Sequence, residues 1–230
     1  MTAPANLIAP MIVAGTVGLE TRYVTEVEDL AGKTIYTFSA VDLGDPSARR
    51  MIVLGVGGYD NTDSATTISS VTVNGVAVTT AVTRTETVTG FRTMAGLYYI
   101  ELDAGSSATI VVTFSSAVDS CYVAVWALHG YGSATPAFTT AHSLKNDTSS
   151  ALNLSCNVAI GDTVIAYFFD LGNSGSVVWT GLTENFDRAT GEDTRSGASL
   201  IATAAESPRT ITINRTSTGH LPLGMLAIWR

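Results

Sequence analysis

The chain has 230 residues, of which 46% are hydrophobic and only 14% charged, well under the roughly 25% charge of an ordinary soluble domain. So apolar a composition excludes intrinsic disorder, which needs low hydrophobicity and high charge. A net charge of -8, with lysine only at Lys33 and Lys145, leaves no basic footprint for DNA or RNA.

The apolar run Leu7 to Val17 opens the chain order. No Lys or Arg precedes it, whereas a secretory signal begins with positive charge. It is broken by Pro10 and Gly15 and is too short to cross a bilayer, and no longer uninterrupted apolar stretch follows, so no membrane is expected. An apolar terminus without a partner would face water. Residues 1–30 are therefore read as an N-terminal arm, with Leu7, Ile8, Met11, Ile12 and Val13 as candidate anchoring residues. The best helix candidate, Val24 to Leu30, is under two turns and would be marginal.

From there on, short apolar runs alternate with Gly, Asn, Asp, Ser and Pro, the signature of an all-β chain. In Thr34 to Phe38, Tyr36 and Phe38 share a face. After the turn residues Gly44-Asp45-Pro46-Ser47, Met51 to Val56 is nearly all apolar and suits a strand covered on both faces. Val71 to Val78 reads as a hairpin, because Asn74-Gly75 supplies the positive φ angles of a type I′ turn between β-branched residues. Gly96 to Leu102, Ala108 to Phe114 and Tyr122 to Leu128 complete a first series of strands.

A second series repeats the first. Ala151 to Ile160 is a strand, and Thr163 to Phe169 echoes Met51 to Val56. Val177 to Trp179 takes the place of the hairpin region, and Ser199 to Ala204 echoes Leu97 to Leu102. Arg209 to Ile213 aligns with Ala108 to Val112. Leu223 to Trp229 mirrors Tyr122 to Leu128, with a Trp in each. Self-similarity at this length points to duplication of one sheet-forming unit. The expected fold is an antiparallel β-sandwich, jelly-roll-like, built over residues 31–230 from halves at about 31–135 and 136–230. The halves form either tandem sandwiches or one interleaved sandwich. The short connection Gly130 to Phe138 favours a continuous core.

Chemistry is less visible. His129, His142 and His220 are far apart, and neither a GxSxG elbow nor an HExxH pair occurs. A triad could assemble only in space, and the histidines are read as loop residues. Acids cluster at Asp60-Asn61-Thr62-Asp63 and Glu192-Asp193. Loop oxygens could hold calcium, but such residues more simply bond their own turns. No spacing pairs Glu101, Glu184 or Asp187 as glycosidase acids would be paired. Cys121 and Cys156 read as buried thiols. The expectation is a protein without catalytic residues, metal or cofactor. Trp126 and Trp229 read as core. Tyr59, Phe91 and Trp179 fall nearer loops, where an exposed ring could stack on a sugar.

Arg50-Met-Ile-Val-Leu-Gly-Val-Gly-Gly, Ile68-Ser-Ser-Val-Thr-Val-Asn-Gly-Val-Ala, Ala108-Thr-Ile-Val-Val-Thr-Phe-Ser and Tyr122-Val-Ala-Val-Trp-Ala-Leu-His-Gly together resemble small β-sandwich virion proteins of tailed bacteriophages and prophages. The likeness runs from about Thr34 to Arg230 and is one of strands, not of catalytic residues. It implies a structural role as head decoration, head fibre or spike, or tail component, in virions assembled in the host cytoplasm. The implied partners are capsid or tail proteins and copies of the chain itself. A carbohydrate-binding module that attaches to host surface polysaccharide is the alternative.

Overall fold

Tyr36 and Phe38 turn inward while Thr37 and Ser39 turn out, the two-residue period that makes a strand with one wet face. The same alternation, or full burial, recurs along a computed structural model that describes residues 19–62, 65–144, 151–172, 175–190, 193–216 and 221–230. Among these residues there are seventeen strands and no helix. The first half holds β1 (Glu20–Asp29), β2 (Lys33–Asp42), β3 (Arg50–Asp60), β4 (Ile68–Val73), β5 (Val76–Ala77), β6 (Thr79–Val88), β7 (Phe91–Glu101), β8 (Ser107–Val118) and β9 (Ser120–His129). The second holds β10 (Phe138–Ser143), β11 (Ala151–Val158), β12 (Thr163–Leu171), β13 (Val177–Thr180), β14 (Thr183–Thr190), β15 (Asp193–Ile201), β16 (Glu206–Arg215) and β17 (Leu223–Trp229).

Every pairing is antiparallel, and each sheet draws its strands from one half. The first half forms β1-β9-β3-β7-β6 and β2-β8-β4-β5. The second forms β10-β17-β12-β15-β14 and β11-β16-β13. In both, the first strand pairs with the last, the second with the last but one, and the third with the strand before that. This nested winding is that of a jelly roll. It also bears out the sequence likeness between halves, because β2, β3, β4, β7, β8 and β9 take the places of β11, β12, β13, β15, β16 and β17.

The halves do not exchange strands, yet they share an interior. One apolar core, with Tyr36, Ile52, Ile110 and Phe114, lies between the two sheets of the first half. Another, with Leu154, Phe168 and Ile213, lies between those of the second. A third joins the two five-stranded sheets face to face and contains Trp126, Tyr167, Phe169 and Trp229. The molecule is thus four sheets deep. Both inner sheets are covered on both sides, so β3, β12 and β17 are buried along their whole length.

Glycines set how closely the halves approach. A Cβ on Gly55 would fall 2.8 Å from the Tyr167 ring, and one on Gly57 would fall 2.8 Å from the Phe169 ring. The Gly-Val-Gly-Gly run of β3 therefore makes room for aromatic side chains of the other half. At the outer hairpin, Asn74 (φ 49°) and Gly75 (φ 79°) have the left-handed conformations expected for the turn, and Thr109 N–H donates to Asn74 Oδ1 at 2.9 Å.

Three expectations are corrected. The halves are tandem sandwiches that exchange no strand, not the single interleaved sandwich that the short connection favours. Val24 to Leu30 is not helical; Val24 to Asp29 belongs to β1, and Thr25 to Asp29 pair with Val125 to Cys121 of β9. Of the arm expected over residues 1–30, Glu20 to Asp29 is instead a paired strand of the first sandwich. Leu7, Ile8, Met11, Ile12 and Val13 lie outside the described residues.

Candidate functional site

One cluster of buried ionisable groups lies at the seam between the halves. Arg195 of β15, with a side chain 4% exposed, pairs with Glu26 and Glu28 of β1 and with Asp193 at 3.1 Å. Its guanidinium lies 4.2 Å from the centre of the Tyr122 ring, and the Tyr122 hydroxyl donates to Asp193. Burial pushes the carboxyls of Glu26 and Asp193 up, with Arg195 opposing the shift at both. Each acid is held by Arg195 or another protein group, so the cluster joins the two sandwiches. Other charges are equally engaged. Arg50 is fully buried and donates to the carbonyls of Leu102, Gly44, Ala104 and Gly105 at 2.6–3.1 Å. Arg215 pairs with Asp170 at 3.0 Å, both side chains wholly buried.

The remaining sequence candidates disperse. His129 ends β9 and its Nδ1 lies 2.6 Å from Ser47 Oγ, in a hollow of about 200 Å3 with Glu20, Arg22 and Asp45. Burial lowers its pKa, but among the described residues no carboxylate bonds its other ring nitrogen, so the orienting third member of a triad is missing. His142 bonds the Asn153 carbonyl at 3.0 Å, and His220 lies outside the described residues. Asp60 accepts from Thr62 N–H at 2.9 Å and Thr66 Oγ1 at 2.8 Å, the turn-bonding role that Asp commonly has. Asp63 and Glu192 lie outside the described residues. Glu101 accepts from the Tyr131 hydroxyl at 2.7 Å and Asp187 from Val177 N–H at 2.9 Å. Among the described residues, no group of three or more His, Cys, Asp or Glu could hold a metal ion.

Of the three aromatic candidates, two are core residues. Tyr59 lies within β3 and Trp179 within β13, each 7% exposed, and Trp179 Nε1 donates to Ser196 at 2.7 Å. The sequence places both nearer loops, but each lies in a paired strand with its ring turned inward. Phe91, 37% exposed at the start of β7, does reach solvent.

The open space lies elsewhere, where the chain crosses from the outer to the inner sheet of the first sandwich. β5 is two residues long, and at Val78 the backbone leaves it for β6. A groove of about 320 Å3 opens there, between Ile68, Ser69, Ser70 and Val71 on one side and Thr80, Thr83 and Tyr98 on the other. A smaller hollow of about 90 Å3 continues it past Thr67, Ile68 and Thr83 to Thr85 and Met94. Each wall carries a register shift: between Ile68 and Ser70 on β4, and between Thr80 and Val82 on β6. The second shift is what lets Thr80 and Thr83, three apart, face the same groove, while Ala81 and Val82 pack into the shared core. Bulges of this kind re-aim side chains and are frequent beside functional sites. The larger groove is lined by no charged residue. Burial pushes the Tyr98 phenol up, so it stays protonated and able to donate. Neither bulge nor crossover leaves a motif, which is why reading the sequence missed this site.

No protein-family profile matches the chain, and no curated protein sequence matches it.

Proposed function

We propose that this is a non-catalytic structural protein of a phage or prophage particle, displaying stacked jelly rolls as a head decoration, fibre or spike, or tail component. The supporting observation is the chemistry of the two outermost sheet faces. β4, β5, β8, β11 and β13 contain no charged residue, β2 has charge only at its ends, Lys33 and Asp42, and β16 carries Glu206 and Arg209, paired with each other, and the buried Arg215. Ile35, Thr37, Thr72, Val111 and Thr113 face outward on one side, and Asn153, Val178, Thr180, Thr212 and Asn214 on the other. Depletion of charge marks the cores of protein–protein interfaces. In a molecule of net charge -8, such faces are where copies or particle proteins can approach without like-charge repulsion.

Jelly rolls are common among viral capsid and lectin domains, which agrees with the resemblance drawn from the strands, although a fold by itself does not assign a function. On this reading the apolar segment Leu7 to Val17 anchors the protein to its capsid or tail partner, and assembly takes place in the host cytoplasm. The test is incorporation: particles formed with the full chain and with a deletion of residues 1–18 are purified and their proteins quantified by mass spectrometry. The full chain should co-purify in fixed proportion to the major head or tail protein, and the deletion should be lost. Failure of the full chain to co-purify would refute the particle role. Unchanged incorporation of the deletion would refute the anchor.

A further inference from the structure

We propose that the groove between β4 and β6 binds a neutral glycan chain. Ser69, Ser70, Thr80, Thr83 and Tyr98 line it, and among the described residues none of these five hydroxyls has a protein hydrogen-bond partner. Some hydroxyls of the same kinds are engaged elsewhere, Thr66 with Asp60, Ser196 with the Phe186 carbonyl and Thr190 with Asp193, and those without a partner at Thr21, Ser120, Thr163 and Tyr167 are buried singly, not gathered along a groove. A hydroxyl both donates and accepts, so a row of them matches the hydroxyls of a sugar in either sense. Ile68 and Val78, partly buried against the first core, offer an apolar strip for the C–H face of a pyranose ring.

Shape and charge narrow the ligand further. About 320 Å3 is at the small end of ligand sites, which run from roughly 300 to 1,000 Å3, and the groove continues at Ile68 and Thr83 into the second hollow. That geometry suits a chain lying along the strands better than a compact cofactor. Arg84, at the far end, is engaged by Ser143 at 2.8 Å and Glu86 at 3.4 Å, so the groove presents no free cation to attract an acidic ligand. Register shifts also occur in four other strand pairings, but here one lies in each wall, so both walls depart from regular pairing where they face each other.

The test uses the full chain on an array of immobilised neutral oligosaccharides (hexose and N-acetylhexosamine oligomers) alongside sialylated and uronic-acid oligomers, followed by calorimetric titration of the best ligand. Thr83→Arg and Ser70→Arg place bulk and charge at exposed positions, and circular dichroism verifies their fold. Binding to a neutral oligomer is expected, weakened at least about tenfold by either arginine. Tyr98→Phe, which removes one hydrogen bond, should weaken it about fivefold. Ser155→Arg, on the opposite outer face, should leave it unchanged. Raising salt from about 50 to about 500 mM should alter affinity less than about twofold, because no charge pair is screened. The proposal is overturned if no neutral oligomer is retained, if only acidic oligomers bind, or if the groove variants bind like the unaltered protein. It stands apart from the particle role, since loss of incorporation would not alter titration of the soluble chain.

Discussion

Arg195 of the second sandwich grips Glu26 of the first, 169 positions earlier in the chain, in a site only 4% exposed on the arginine side. Removing one partner of a buried ion pair leaves the other charge without compensation and costs about 3–5 kcal/mol. Arg195→Ala should therefore lower unfolding free energy by roughly that amount in urea titrations. Glu28→Gln, at an acid 41% exposed, should cost under about 1 kcal/mol. Equal effects from the two variants would show that the seam does not depend on the buried pair.

The pH response should be set in part by Asp170. Burial pushes its carboxyl from an ordinary 3.8 up to about 7, although Arg215 and the Leu221 N–H pull the other way. Between those values the folded protein retains a proton that the unfolded chain has released. The contribution to stability is then full below about pH 4 and is lost as pH rises through 7, at no more than about 1.4 kcal/mol per pH unit. Burial raises Glu26 and Asp193 in the same direction. Denaturant midpoints should fall from pH 4 to pH 7 and fall less steeply in Asp170→Asn. Midpoints that rise over this interval would contradict the assignment.

Gly57 should tolerate no side chain. A Cβ there meets the Phe169 ring at 2.8 Å and the Tyr167 hydroxyl at the same distance, and overfilling a packed interior typically costs about 1–3 kcal/mol. Gly57→Val should lower the melting temperature, whereas Gly90→Ala should show only the smaller cost of its left-handed backbone, since nothing lies within 4 Å of the added carbon. A Gly57→Val protein as stable as the parent would mean that the halves are not held at this spacing.

Cys121 and Cys156 are free and buried, and burial pushes both thiols up. Because the thiolate is the reactive form, neither should react with an aromatic disulfide reagent at neutral pH until denaturant is added, when two equivalents should be released. Rapid labelling of the folded protein would place at least one of them at the surface.

The strands that face a core on both sides could be read from the sequence: Met51 to Val56 and Thr163 to Phe169 are apolar at nearly every position because water reaches neither face. So could the Asn74-Gly75 turn, whose backbone requirement is local. The edge strands could not. β1, β6 and β14 mix Thr, Glu and Arg on half-wet faces, so their pattern resembles a loop or a short helix until a neighbouring strand supplies hydrogen bonds. The Arg195 cluster and the groove escaped for a different reason. One depends on residues brought together across the whole chain. The other depends on two bulges that no residue type announces, while Tyr59 and Trp179, close to turn residues, look more exposed from the sequence than they are.

The nested winding also governs how the molecule can be made. β1 must wait for β9 before its sheet closes, so nothing in the first sandwich is complete until the ribosome has passed His129. β17 runs between β10 and β12, so the second sandwich lacks a middle strand until Trp229 has emerged. During that interval the face bearing Trp126 and Leu97 stands bare on the nascent chain. This is the period in which the protein most needs a chaperone or a fast-folding partner, and in which premature termination would leave it prone to aggregate.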